Sequence, residues 1–524
     1  VNLESLYLRL PIWAQNWACS WEGARIERTR YGGDFAAQLA EYEARSAWSA
    51  GDLAAFRDER LRAFLRHCYD TVPFYREQWD ALPFDHRAVT ELADLAALPI
   101  LDKATVRANY DRLLSTAIPE RDRIIAHTSG TTGAGLRFAV TAPFQRAQWA
   151  VWWRYRRWHG IDRGIWCGYF GGRSLVPLAA DRAPFWRINR PGRQIMFSGY
   201  HVSPRNLPAY VAELNRRQPP WLHGYPSLLA VLAGYLLETG RGLDYQVRWI
   251  TTGAENLLAA QTALIERAFA VRPRQHYGMS EGVANISETP EGILRVDEDF
   301  AAVEFVPQAG GGGVRIIGTN ISNAALPLVR YDVGDVVEMG AGDEGGGAGE
   351  IRSAECGVRS GVQGEGARDE GRGARNGGNN DDIRSANHTK HQTPYTKHPP
   401  FAGRPVLSID GRLEDYVILK NGARLGRMDH IFKDLTRIHE AQIVQETPGV
   451  ILVRVIKTAA YAERDERQLL HEFRQRVGDQ ADIKIEYPAA LERSRTGKLR
   501  FVISRIAAGQ LRIEGAGETM NDER

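Results

Sequence analysis

Cysteine is sparse in this chain. Four cysteines in 524 residues, Cys19, Cys68, Cys167 and Cys356, stand far apart with no CxxC pair. That spacing argues against a disulfide framework or a structural zinc site and fits a reducing, cytoplasmic setting. Long apolar runs are also missing: no stretch reaches the roughly 18–20 residues needed to span a bilayer. The start, Leu6-Tyr7-Leu8-Arg9-Leu10-Pro11, is broken by Arg and Pro, unlike a signal peptide. Nor is there a charge excess. The net charge of +3 gives no support to a nucleic-acid or membrane-surface partner. No internal repeat is evident.

What is present is ordinary globular material, 43% hydrophobic and 25% charged, in a chain long enough for two or more domains. Residues 36–68 carry apolar side chains at helical spacing. From about 100 to 335, strand-like runs (Arg123–Ala126, Val247–Thr251, Val314–Ile317) alternate with helical ones (Leu207–Arg216, Leu228–Glu238). This alternation predicts an α/β fold with a largely parallel sheet.

Residues 338–402 break the texture. Gly340 to Gly378 holds 14 glycines among charged and polar residues, too few apolar groups to offset the entropy of ordering, which predicts a disordered insertion. His388, His391 and His398 within it read as solvated linker histidines rather than a metal tract. A smaller α/β or α+β unit follows, with strands at Val417–Leu419 and Ile451–Ile456 and a helix at Arg464–Val477. The expected domains are thus 1–410, 411–507 and a polar tail, 508–524.

The densest chemical signal is His127-Thr128-Ser129-Gly130-Thr131-Thr132-Gly133-Ala134-Gly135-Leu136, which puts four hydroxyl residues and three glycines in one loop. Glycines let a backbone close on an anion, while amides and hydroxyls donate to phosphate oxygens. The preceding Arg123–Ala126 reads as a buried strand, and no Gly-Lys-Ser/Thr ends the loop, so it is not a Walker loop. Four later segments suit a nucleotide. Thr251-Thr252-Gly253-Ala254-Glu255 follows a strand. His276-Tyr277-Gly278-Met279-Ser280-Glu281 combines a ring, a hydroxyl and a carboxylate. Arg330-Tyr331-Asp332-Val333-Gly334-Asp335 offers Asp335 to ribose hydroxyls, and Ser494-Arg495-Thr496-Gly497-Lys498 presents a lysine. Singly, each has a plainer alternative: Tyr277 as a core aromatic, Glu281 as a helix-start carboxylate, Asp335 as a turn residue, Lys498 as part of a solvated face.

In this order the segments resemble the AMP-forming adenylating-enzyme superfamily of acyl-CoA synthetases, adenylation domains and luciferases. Within it the chain is most similar to the phenylacetate–CoA ligase family, in its capsular polysaccharide biosynthesis and coenzyme F-adenylating branch. The branch-specific parts are Arg30-Tyr31-Gly32-Gly33, Trp221-Leu222-His223-Gly224-Tyr225-Pro226-Ser227 and Gly426-Arg427-Met428-Asp429-His430-Ile431-Phe432-Lys433.

The resemblance implies a large N-terminal α/β domain with mostly parallel sheets and a small mobile C-terminal α+β domain. It implies ATP, Mg²⁺ and a small carboxylic acid as ligands, with coenzyme A as thiol acceptor. A hydroxyl receiving AMP, or an acyl group destined for a capsular sugar, are alternatives, as is a non-catalytic nucleotide-binding descendant. Thr128, Ser129, Gly130, Thr131, Thr132 and Gly133 would surround the β- and γ-phosphates. Gly253, Ala254 and Glu255 would line adenine, with Tyr277 stacked on it beside Gly278. Ser280 would lie near the α-phosphate, Glu281 on Mg²⁺, and Asp335 with Arg412 on the ribose. Glu414 would be the hinge, and Lys498 the lysine that reaches the carboxylate and α-phosphate.

Some positions depart from the family pattern. Ala134-Gly135-Leu136 stands where many relatives carry a Pro-Lys pair, so the loop has no lysine of its own. Ser280 replaces a commoner threonine, Glu414 a commoner aspartate or lysine, and the insertion replaces a short, often cysteine-bearing segment. Trp152-Trp153-Arg154-Tyr155-Arg156-Arg157-Trp158 reads as a helix packing its tryptophans on the core rather than a nucleic-acid surface. Gly171-Gly172-Arg173 suits either an acceptor pocket or a phosphate contact, and His223 reads as a core histidine or as one that reaches the acceptor carboxylate side. Neither the acid nor the oligomeric state is legible.

Overall fold

The computed structural model describes residues 3–127, 136–173, 175–177, 180–203, 205–307, 314–339, 401–410, 417–420, 424–425, 428, 431, 437–492 and 501–506. The N-terminal fifth, up to Leu113, is helical. The stretch expected as helical over 36–68 holds two helices, Phe35–Arg45 and Ala50–Thr71. Ser49 causes the break: its hydroxyl accepts from Asp52 N at 3.1 Å while Asp52 accepts from Ser49 N at 3.2 Å, a reciprocal cap that starts a new helix.

Strands β1 (Ile124–His127) and β2 (Arg137–Val140) form a two-stranded antiparallel ribbon flanking the Thr128–Gly135 stretch. The strand expected to be buried is not: Ile124 and Ile125 are 37% and 42% exposed, because a two-stranded ribbon has no further strands to cover it.

A nine-stranded sheet organises the rest. Its strands are β3 (Cys167–Gly171), β4 (Trp186–Asn189), β5 (Gln194–Ser198), β6 (Trp221–Gly224), β7 (Trp249–Thr252), β8 (Arg274–Gly278), β9 (Asn285–Glu288) and β10 (Leu294–Val296), with one added from beyond residue 400. Its centre is parallel, in the order β5-β3-β6-β7-β8, with antiparallel strands on both flanks. A second, antiparallel sheet holds β11 (Ala302–Pro307), β12 (Val314–Thr319) and β13 (Tyr331–Glu338).

After residue 400 the chain rejoins both sheets, as β14 (Pro405–Val406) beside β10 and β15 (Ser408–Asp410) beside β13. Order therefore extends into both ends of the stretch expected as an insertion. Glu338 pairs with Ser408, and Phe401 is buried with its ring 4.7 Å from the Arg154 guanidinium. Residues 340–400 and 507–524, holding the glycine-rich run, its histidines and the tail, lie outside the described residues.

The smaller C-terminal unit contains a two-stranded ribbon, β16 (Val417–Ile418) with β17 (Arg424–Leu425). Its four-stranded sheet runs β20-β19-β18-β21, from β18 (Ile438–Gln445), β19 (Val450–Lys457), β20 (Asp482–Glu486) and β21 (Val502–Ser504). The helix Glu463–Val477 buries Leu469, Phe473 and Val477 in the same core as Ile443, Val453 and Val455. The architecture is α/β, with a large N-terminal domain of mixed sheets and a smaller C-terminal α+β domain.

Two faces of the large sheet differ by the two-residue period of its strands. One face carries Phe170, Leu222 and Ile250 into a closed apolar core. The other carries Cys167 and Tyr169, then Trp221 and His223, in register with Trp249 and Thr251. Against this second face lies the helix Ala142–Trp158, capped by the Thr141 hydroxyl.

That helix is anchored by a buried ionic cluster. Arg154 donates to Asp297 at 2.6 Å and to Asp299 at 2.8 Å, Arg45 also reaches Asp299 at 2.8 Å, and Arg57 reaches Glu298 at 2.7 Å. Burial pushes Asp297 up to about 6. Arg154, Asn285 and Ser287 oppose this by donating to it, so it is ionised at neutral pH.

Candidate active site

Between the helix Ala142–Trp158 and the second face of the sheet runs a cleft of about 990 Å³. It opens at the C-terminal ends of β6, β7 and β8, where ligands sit in open α/β sheets, and continues inward along the strands. Gly253, Ala254, Glu255, Tyr277, Gly278, Ser280, Glu281 and Asp335 all line it, so one space collects eight sequence-predicted positions from three distant segments.

Local structure explains how each arrives. Ala254 follows β7 with φ of 68°, a left-handed conformation that costs a non-glycine residue roughly 1–2 kcal/mol and marks a turn held by its surroundings. Glu255 accepts from Ser227 N at 3.2 Å, so its carboxylate caps the helix Pro226–Thr239. Tyr277 stands next to last in β8 and donates through its hydroxyl to Asp335 Oδ2 at 2.8 Å.

Asp335 leaves its sheet through a bulge. Two steps along β12, from Arg315 to Ile317, match four along β13, from Val336 to Asp332. Gly334 makes that bulge possible with φ of 76°, and Asp332 Oδ1 accepts its amide at 2.8 Å. Glu281 is 8% exposed, and its main-chain carbonyl accepts from Asn320 at 3.2 Å, whereas Ser280 is exposed to the cleft.

The other expected site residues, Thr128, Ser129, Gly130, Thr131, Thr132, Gly133, Arg412, Glu414 and Lys498, lie outside the described residues. So does most of Gly426–Lys433, apart from Met428 and Ile431. Cys19, Cys68 and Cys167 are free thiols. No helix among the described residues is long and apolar enough to cross a membrane.

The inner part of the cleft was legible in the sequence only at the Gly171–Arg173 turn and His223. Trp152 and Trp153 do pack against the core, as expected, and with Trp149 they also line the cleft. Trp152 Nε1 donates to Asn285 at 2.8 Å. Trp153 meets Trp221 edge-on at 6.2 Å, and Tyr31 stands edge-on to Trp149 at 5.8 Å. His223 lines the cleft, its Nδ1 2.8 Å from Thr251 Oγ1. Burial and Arg156 hold His223 well below the usual histidine range and lower His276 to about 3, so both rings are neutral at pH 7. Arg173, from the Gly171–Arg173 turn, also reaches the cleft.

A nucleotide fits this donor set. Three carboxylates and a tyrosine ring converge at the strand ends, and a Cβ on Gly278 would come within 2.6 Å of Asn285 Oδ1, so only glycine leaves this wall undisturbed. Among the described residues no group of three or more His, Cys, Asp or Glu side chains could cage a metal. A Mg²⁺ here would therefore take most of its ligands from phosphate and water, as this hard cation commonly does.

Known proteins resemble this chain over much of its length. The family model for the CapK C-terminal domain matches residues 418–505. Protein CapK of Staphylococcus aureus is 28% identical over 338 residues, 64% of this chain and 73% of that one. Phenylacetate-coenzyme A ligase of Escherichia coli (strain K12) is 27% identical over 320 residues, 56% of this chain and 68% of that one. Among solved structures, 2-hydroxyisobutyryl-CoA ligase with 2-HIB-AMP and CoA is 17% identical over 88% of this chain and 91% of that one, with a TM-score of 0.49. The chain is thus similar to CapK and to phenylacetate–coenzyme A ligases, in line with the resemblance to AMP-forming adenylating enzymes that its motifs carry.

Proposed function

We propose that this protein activates a small carboxylic acid with ATP, releasing pyrophosphate, and passes the acyl group from the acyl adenylate to the thiol of coenzyme A. The convergence of Tyr277, Asp335 and Glu281 at the open end of one cleft, with an aromatic chamber further in, carries this reading. Tyr277 would cover adenine and Asp335 would accept from the ribose hydroxyls. Gly253, Ala254 and Glu255 would complete the base pocket. Mg²⁺, held through Glu281 and phosphate oxygens, would offset charge on the leaving pyrophosphate.

An acid carboxylate attacking the α-phosphorus brings two anions together, which demands preorganised positive charge. Thr128–Gly133 would hold the β- and γ-phosphates through amides and hydroxyls, while Arg412 would assist on the ribose. Lys498, on the smaller domain, would supply the point charge between carboxylate and α-phosphate. With a domain boundary at 410/411 and Glu414 as hinge, that charge arrives only on closure, which keeps ATP from water until the acid is bound.

Acid-dependent exchange of labelled pyrophosphate into ATP, across a panel of aryl and aliphatic acids, tests the first half-reaction. Coenzyme A-dependent release of AMP tests the second. Lys498→Ala should abolish exchange while leaving ATP binding nearly intact. Tight ATP binding with no exchange for any acid would replace this reading with that of a nucleotide-binding protein.

A further inference from the structure

Two arginines on one turn of the helix Ala142–Trp158 are buried in opposite circumstances. Arg154 is clamped by two aspartates. Arg156, only 5% exposed, lines the cleft, and its Nε and Nη1 are buried with no hydrogen-bond partner among the described residues. Its guanidinium lies over the rings of Trp153 at 4.9 Å and Trp221 at 5.7 Å. The ionisable groups acting most strongly on it are Tyr31, Tyr155, Cys167 and Tyr169, none of them a carboxylate.

An unmatched buried cation is costly, and removing it from water without a counter-ion needs an explanation. The surroundings do not supply the counter-charge. Arg30, over Trp149 at 4.5 Å, and Arg163, over Tyr31 at 4.0 Å, line the same inner chamber, and Arg173 joins them. Glu27 sits in this wall too, but it is paired with Arg163. The carboxylates expected to handle nucleotide and metal, Glu281 and Asp335, belong to the strand-end mouth. The chamber therefore has flat aromatic walls, a positive inner end and hydrogen-bond donors with nothing to donate to.

We propose that Arg156 is the receptor for a second anionic group on the acid substrate. The substrate class is a planar acid carrying one carboxylate at the mouth, which is adenylated, and another anionic group at the far end of its ring. This rests on the adenylation reading above and extends it to substrate choice. A guanidinium presents its donors as a planar fork that matches a carboxylate, and the ring would lie among Trp153, Trp221 and Tyr169. An acid lacking the second anion leaves the fork unpaired, which is how a site built on buried polar groups rejects analogues.

The test compares phenylacetate with 2-, 3- and 4-carboxyphenylacetate in acid-dependent pyrophosphate exchange. The best diacid should exceed phenylacetate in kcat/KM by at least about tenfold. Arg156→Gln should abolish that preference with ATP affinity unchanged, and Arg156→Lys should keep part of it. A wild-type preference for phenylacetate, or a diacid preference that survives Arg156→Gln, overturns the proposal. So does a thermal destabilisation by Arg156→Gln with the preference intact, which is what a purely structural arginine would give.

If no acid supports exchange, the adenylation reading fails. Calorimetric titration of the full chain without ATP then decides the Arg156 site independently. Binding of a carboxyphenylacetate at least about tenfold tighter than phenylacetate, lost in Arg156→Gln, sustains the anion site. Equal affinities overturn it. If Arg156→Gln does not fold, the wild-type and Arg156→Lys titrations carry the comparison.

Discussion

Tyr277 Oη donates to Asp335 Oδ2 at 2.8 Å, joining the end of β8 in the nine-stranded sheet to the bulge of β13 in the antiparallel one. The contact fixes two side chains 58 residues apart at the mouth of the cleft before any ligand arrives. Preorganisation of this kind lowers the ordering cost of binding.

It also separates two contributions by mutation. Asp335→Asn removes charge that ribose hydroxyls would donate to, and should weaken ATP binding by about tenfold or more. Tyr277→Phe keeps the ring and loses only the hydroxyl, so ATP affinity should fall by no more than about 3 kcal/mol, the upper range of one hydrogen bond to a charged group. Tyr277→Ala should be much worse than Tyr277→Phe. Calorimetric titration with a non-hydrolysable ATP analogue measures all three, and equal affinities for the Phe and Ala variants would remove the stacking role.

The two arginines of one helix should respond oppositely to loss of charge. Arg154→Met strands Asp297 and Asp299 with reduced compensation, and breaking a buried pair this way costs about 3–5 kcal/mol. Arg156→Met removes a buried cation whose Nε and Nη1 have no hydrogen-bond partner among the described residues, and substitutes a flexible apolar chain among tryptophans. Its melting temperature should stay level or rise, the pattern of a residue kept for binding rather than stability. Thermal denaturation of both variants at pH 7 checks this, and a drop for Arg156→Met as large as for Arg154→Met would refute it.

This pair also marks the limit of what the sequence discloses. Strand and helix runs were legible because periodicity reflects burial: Leu207–Arg217, Val450–Lys457 and Glu463–Val477 fall within a residue or two of expectation. The strand-end segments at Gly253, Tyr277 and Asp335 were legible because each clusters glycine with polar groups, and the structure brings all three to one cleft. Arg154 and Arg156 cannot be told apart in Trp153-Arg154-Tyr155-Arg156, since their difference lies in what faces them across the fold. The acidic Asp297-Glu298-Asp299 run, 143 residues away, satisfies the first and not the second. Ile124 and Ile125 misled for the same reason: an apolar run predicts burial only if other strands come to cover it.

Acid should unfold this protein through its neutral histidines. Burial holds His276 down to about 3, His159 down to about 4 and His223 well below the usual range. In the unfolded chain each titrates near 6.5, so between that value and the folded one the unfolded state binds more protons. Stability is complete above about pH 6.5 and falls as pH drops, by up to about 1.4 kcal/mol per pH unit per histidine. Asp297, raised to about 6, acts in the opposite sense below that pH, but the three histidines outnumber it. Urea unfolding at pH 7 and pH 5 should show the loss, and His276→Gln should flatten the slope. An unchanged slope would mean that the cleft lets His276 protonate freely.

Gly278 links the two ends of the cleft more directly than any charged group. It closes β8 beside Tyr277, and a Cβ there would stand 2.6 Å from Asn285 Oδ1 and 3.1 Å from Trp152 Nε1. Those two atoms hydrogen-bond to each other at 2.8 Å, so they cannot separate without leaving a buried donor and acceptor unsatisfied. Asn285 cannot swing away cheaply, because it also donates to buried Asp297. Gly278→Ala should therefore cost about 1–3 kcal/mol of stability, the usual range for overpacking. Because Trp152 lines the inner chamber proposed for the acid and Tyr277 the mouth proposed for the nucleotide, it should raise KM for both acid and ATP. Gly164→Ala, where an added Cβ meets nothing within 4 Å, is the matched control and should leave both constants alone. If Gly278→Ala moved the ATP constant without the acid constant, Trp152 would not form part of the acid chamber.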